Sequence, residues 1–150
     1  MRTIPVIVLA ATLLAPGLTG CSSPSRTLTP EPSYPSILVR TQPSTIQLVR
    51  ETRHVEMTNV TARSFGPSRI WLNQWYSAEI EGLRVGETIR LPLTRFKDEF
   101  GDSFRGGGFF AAEAPDKLVK AELETDAPRT EGTLGGERVL VPLIVVGDQE

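Results

Sequence analysis

From about Ser44 to Val146, apolar residues recur mainly at every second position, in short runs broken by Gly, Pro, Asn and Ser. A period of two sends alternate side chains to opposite faces of an extended strand, whereas a helix needs a period near 3.6. Runs this short also leave little room for helices. The alternation therefore points to an all-β body.

The strands can be placed one by one. Ile46–Val49 reads as the first. His54–Val60 reads as the second, with Val55 and Met57 on one face and His54, Glu56 and Thr58 on the other. Asn59-Val60-Thr61 has the form of a glycosylation sequon and is read as a strand end. Arg69–Ile80 is a hairpin candidate, because Asn73-Gln74 suits a two-residue turn and Asn tolerates positive φ. That register sets Leu72 opposite Trp75, and Trp71 opposite Tyr76 on the other surface. Ile70, Leu72 and Trp75 are then the inward set, and Trp71 and Tyr76 the outward pair. Thr88–Leu93 follows as a strand, with Pro92 suggesting an edge or bulge. Thr94–Gly101 breaks the period, and one helical turn is expected to pack both Phe96 and Phe100. Lys117–Thr125 reads as strand over helix, and β-branched Arg138–Val146 closes the sheet, with Pro142 at a bulge or free edge.

About seven strands at this spacing fit a two-sheet β-sandwich. The pattern resembles the small immunoglobulin- or fibronectin-like domains of bacterial envelope proteins. That resemblance is one of architecture, and no motif in residues 44–150 carries a named family.

The start of the chain reads differently. Arg2 precedes an apolar run, Ile4–Leu14, well short of the roughly 20 residues a spanning helix needs. Pro16 and Gly17 follow, then Leu18-Thr19-Gly20-Cys21, which holds the single cysteine. A charged start, a short apolar run and small residues make a secretory signal. The last four residues resemble the lipobox of bacterial lipoproteins. The resemblance implies diacylglyceryl transfer to the Cys21 sulfur, cleavage between Gly20 and Cys21, and acylation of the new amino group. It also implies a protein held at the membrane by covalent lipid. Ser22, where an Asp would favour retention at an inner membrane, implies the periplasmic face of an outer membrane if the organism has two membranes.

The expected organisation is a signal peptide at 1–20, a lipidated Cys21 and Pro/Ser-rich tether at 21–43, and a β-domain at 44–150. Pro24, Pro30, Pro32, Pro35 and Pro43 hold the tether extended. Within it, Ile37-Leu38-Val39 is expected to pack on the domain as a short edge strand. Removing residues 24–36 is expected to change the domain's stability by less than about 1 kcal/mol, since a solvated tether buries little.

Chemistry is sparse. One histidine and one lipid-committed cysteine leave no Cys–His pair, no CxxC and no ordinary His/Cys zinc site. No Gly-x-Ser-x-Gly elbow accompanies His54, which reads as a polar-face strand residue. Gly106-Gly107-Gly108 lacks the Lys-Ser/Thr of a phosphate loop and reads as a bend where backbone passes close to backbone. Asp98, Glu99 and Asp102 are weak candidates for calcium, without the spacing of an EF-hand. With 16 basic and 18 acidic side chains, the formal net charge of −2 gives no reason to expect nucleic acid. The expectation is a non-enzymatic, membrane-anchored interaction or assembly module, without cofactor beyond the lipid and with an envelope protein as partner. A carbohydrate-binding accessory domain using Trp71 and Tyr76 is the alternative, and a small hydrolase using residues 98–102 a weaker one.

Overall fold

The computed structural model describes residues 31–109, 111–128 and 136–147. The lipobox Leu18–Cys21, the signal segment and Phe110 lie outside the described residues. The described part is almost entirely β. Its strands are β1 (Gln47–Arg50), β2 (His54–Thr58), β3 (Ser68–Leu72), β4 (Tyr76–Ile80), β5 (Thr88–Pro92), β6 (Ala121–Asp126) and β7 (Arg138–Gly147). A single 3-10 turn spans Leu93–Arg95. No helix among these residues is long and apolar enough to cross a membrane.

The seven strands form one mixed sheet in the order β4-β3-β6-β7-β1-β2-β5, curled into a half-barrel. The expected strands are present, but the expected pair of facing sheets is not seen. The reason lies in β7. Its first half, Arg138–Leu143, pairs antiparallel with β6, and its second half, Ile144–Gly147, pairs parallel with β1. One ten-residue strand thus joins what would otherwise be two sheets. Pro142 sits at this joint. It has no amide hydrogen to donate, and its carbonyl accepts from Ser44 N. The facing residues, which include Pro43, carry extra length between the Arg40–Leu140 bridge and the Gln47–Ile144 pair. The extra length lies on that facing segment, while Pro142 itself keeps regular register opposite Glu122.

The core fills the inside of the curl. Ile46, Leu48, Val55, Met57, Ile70, Leu72, Leu123 and Val141 come from the strands, and Phe65, Leu83, Phe96, Phe104 and Leu118 from the connections. The chain leaving β5 crosses the open side of the curl. Leu93 and Phe96 are buried there, and Lys97 then pairs with Ser77, so the outer edge of β4 is covered. The helical turn comes earlier than expected because Phe96 is already extended, at φ −79° and ψ 120°. Phe96 is therefore buried but Phe100 is not; it lies exposed beside Trp75, with ring centroids 6.4 Å apart.

The hairpin turn forms where expected. Asn73 and Gln74 both take positive φ, 53° and 60°, and Trp75 N donates to Leu72 O. The register is offset by one residue: Leu72 pairs with Tyr76 and Trp71 with Ser77. Ala78 and Ile80 fill the core from β4, and period two brings Tyr76 to the same side. Trp75 is left at the tip, 48% exposed.

Residues 31–43, read as the end of a tether, lie along the sheet. Leu140 N donates to Val39 O and Thr41 N to Leu140 O, which prolongs the line of β1 beside β7. Ile37 and Val39 remain exposed. Tyr34 stands edge-on to the Trp71 ring at 5.3 Å and covers it on the outer face of the sheet.

Candidate functional site

A cavity of about 670 Å³ opens at the end of the half-barrel where β1 turns into β2. The turn itself is closed by Glu51 N donating to His54 O. Arg50, Glu51, Thr52, Arg53 and His54 supply one wall, Arg90 of β5 a second, and Gly106–Gly108 with Pro115 the third. Pairing of β2 with β5 sets Glu56 opposite Arg90 and His54 opposite Pro92, which brings Arg90 beside the turn.

The glycines are needed here for two separate reasons. A Cβ on Gly106 would stand 2.9 Å from Thr52 O, so only glycine lets the backbones approach. Gly107 takes φ 81°, where other residues are strained. The bend reading of this run therefore holds, and the bend also forms a cleft wall. A Cβ on Gly108 would lie 3.2 Å from Arg53 Nε and Nη2, which places that guanidinium directly against the glycine backbone.

The cleft is cationic. Three guanidiniums and the His54 imidazole face one carboxylate, Glu51, which is paired with Arg90. Arg50 follows the alternation of Ile46 and Leu48, so its side chain runs beneath the cleft. Its Nη2 donates to Asp116 O at 3.2 Å, and its buried Nε has no acceptor among the described residues. Arg53 and His54 have no side-chain hydrogen bond or ion pair among the described residues, and the amides of Gly106, Gly107 and Gly108 donate to none of them. Donors thus outnumber acceptors in one concave place, an arrangement suited to holding an anion.

The residues singled out from sequence fall elsewhere. Trp71 is 1% exposed, and its Nε1 donates to Glu124 Oε2 at 2.8 Å. Tyr76 is half-buried on the core side, edge-on to Phe104 at 5.2 Å. The two rings do not share a face, because the one-residue offset sends them to opposite sides of the sheet. Asp98 is buried as an organiser of its own loop. Its Oδ1 accepts from Phe100 N and Asp102 N, and its Oδ2 from Trp75 Nε1 at 3.2 Å. Glu99 accepts from Ser33, and the Asp102 carbonyl accepts from Asp98 N. No group of three or more His, Cys, Asp or Glu among the described residues converges to hold a metal. Cys21 and Gly20 lie outside the described residues.

A second polar cluster went unread in the sequence. Glu122 is 1% exposed on the outer face of β6. Tyr34 Oη donates to it at 2.6 Å and Arg40 Nε at 2.9 Å, and Lys120 Nζ stands 3.4 Å away. Burial pushes the carboxyl up, but the Tyr34 and Arg40 hydrogen bonds and the Lys120 charge outweigh it and hold Glu122 below its ordinary 4.5. Burial and the Glu122 bond together raise the Tyr34 hydroxyl above its ordinary value. The cluster fastens residues 31–43, a strap across the sheet, to the outer face of β6.

The cleft could have been suspected from Arg50-Glu51-Thr52-Arg53-His54, a basic cluster at a hairpin turn. Arg90 and the glycine run could not, since only the β2–β5 pairing and the return of the chain at 106–108 bring them there. Comparison with known proteins finds no matching family model, no similar curated protein and no similar solved structure.

Proposed function

We propose that the chain is a lipid-anchored, non-enzymatic recognition module of the cell envelope, and that it engages an anionic partner at the cleft of Arg50, Arg53, His54 and Arg90. The anchor reading rests on Leu18-Thr19-Gly20-Cys21. The observation that carries the site is the convergence of Arg50, Arg53, His54 and Arg90 on one cavity, with the Arg53 and His54 side chains unpaired among the described residues and Glu51 as the single carboxylate of its lining. Two acyl chains, at about 0.8 kcal/mol per buried methylene, make attachment lasting, and Ser22 favours the periplasmic face of an outer membrane if the organism has two membranes.

Two experiments test the two halves. Cys21→Ala is expected to release the protein from membranes and leave the signal uncleaved. Membrane retention at the mature mass in that variant overturns the anchor. A photo-crosslinker at exposed Thr52 is expected to capture a discrete partner in intact cells, and Arg53→Gln with Arg90→Gln is expected to abolish capture. Capture unchanged by those substitutions overturns the cleft as the docking place.

A second reading is favoured by one observation. The Trp75 and Phe100 rings are both exposed and adjacent, a pair that can stack on sugar rings. A carbohydrate-binding role, first attached to Trp71 and Tyr76, moves to this pair. A cell-wall glycan that binds the protein and not Trp75→Ala would support it.

A further inference from the structure

We infer that the cleft is built for a phosphate group, held between the Arg53 and Arg90 guanidiniums and the Gly106–Gly108 backbone. This rests on the reading of the cleft as an anion site and narrows it to one chemistry. The first argument is the number and spread of donors. Arg53 comes from the β1–β2 turn, Arg90 from β5, and the glycine amides from the connection between β5 and β6. A planar carboxylate is satisfied by one guanidinium fork, whereas a tetrahedral phosphate offers acceptor oxygens to donors converging from several sides.

The second argument is the lining. Apart from Pro115, the described residues of the cleft carry no apolar side chain that would grip an organic body. Recognition therefore falls on the charged head of the ligand. The third argument is Glu51. It pairs with Arg90 in the free protein, so it neutralises that guanidinium until a stronger anion arrives. Arg90 has five N–H donors and can serve phosphate while retaining or releasing Glu51. Arg50 stays in place, since Asp116 O and Gly106 O hold its Nη2, and it contributes positive potential beneath the site.

The phosphate can belong to a lipid headgroup or to a soluble phosphate ester. The same donors serve both, and the test separates them.

The full chain, purified in a neutral sugar detergent, is titrated with inorganic phosphate and followed by amide NMR. The Gly106, Gly107 and Gly108 amides are expected to shift together and saturably. Arg53→Gln is expected to weaken binding by about tenfold, the scale of one charge-assisted contact. Glu51→Gln is expected to strengthen it by releasing Arg90. Both altered residues are at the surface turn, and unchanged shifts of core amides such as Leu48 and Leu123 verify that the fold survives. Succinate at the same concentration serves as the carboxylate control. Equal shifts with succinate overturn the phosphate and leave an unselective anion cleft. No shift with phosphate overturns it too, and the crosslinking from Thr52 then decides separately whether the cleft docks a partner. Glycerol 3-phosphate and micelle-dispersed phosphatidic acid form the last two arms. A response to the lipid alone assigns a headgroup, a response to the soluble ester assigns a free phosphate ligand, and silence in both overturns the proposal.

Discussion

At the scale of single residues, Glu122 sets how the strap responds to pH. Its folded-state pKa lies below 4.5, so its contribution is complete above that value and is lost as pH falls through the folded value. Tyr34 has the opposite sign. Its contribution is complete below the ordinary tyrosine value and is lost as pH rises through the raised one. The clamp is therefore intact across neutral pH and loosens at both ends. Asp116, which Arg105 holds low despite burial, shares the acid window. Urea unfolding of wild type and Glu122→Gln from pH 7 down to 3 separates the two: the difference in midpoint should shrink as the pH falls. Tyr34→Phe should cost about 1.5–3 kcal/mol at pH 7, the scale of a hydrogen bond to a charged group. The two tryptophans give a second residue-scale prediction. Trp71→Ala should cost about 3–5 kcal/mol, as for a fully buried aromatic, and Trp75→Ala nearer 1 kcal/mol. This reverses the order that the hairpin alternation alone suggests, and equal losses on urea unfolding would contradict the described register.

At the scale of elements, much was legible. Val55 and Met57, Ile70 and Leu72, and Ile89 and Leu91 alternate in the sequence and point into the curl in the fold. Asn73 was legible as a turn residue, and its side chain does more than tolerate positive φ: Oδ1 accepts from Val119 N, and Nδ2 donates to Lys117 O. The offset after the turn was harder to read, because Trp75 looks like a core residue. Ala78 and Ile80 decide the matter, since their burial assigns the even-numbered side of β4 to the core. Of the cleft, only the Arg50–His54 wall was legible, because Arg90 and the glycine run are brought to it only by long-range pairing. The strap was illegible because five prolines between residues 24 and 43 read as solvated chain. Prolines also suit a segment that lies on a sheet with few backbone bonds of its own, here Thr41 N to Leu140 O and Leu140 N to Val39 O, and Tyr34 and Arg40 supply the side-chain contacts. Removing residues 24–36 is now expected to cost more than about 2 kcal/mol, from the lost aromatic pair and the lost bond to Glu122. Thermal unfolding of the shortened chain checks this, and a stability within about 1 kcal/mol of wild type would restore the picture of a passive tether.

At the scale of the whole molecule, β7 is the common member of both halves of the sheet. It lies between β6 and β1, and the strap bonds to it at Leu140. Ending the chain before Arg138 should therefore remove cooperative unfolding altogether, where loss of an edge strand such as β5 would leave a weakened fold. Calorimetry on the two shortened chains distinguishes these outcomes. That β7 is the last of the seven strands in chain order also sets a timetable. The partial sheets β4-β3-β6 and β1-β2-β5 have no strand in common until residues 138–147 are present, and long-range pairing of this kind is slow. A chain emerging from a ribosome therefore stays unable to complete this sheet until residues 138–147 have been made. Under the export proposed above, in which the chain crosses as an unfolded thread, that delay would keep the thread open while it is still being passed across.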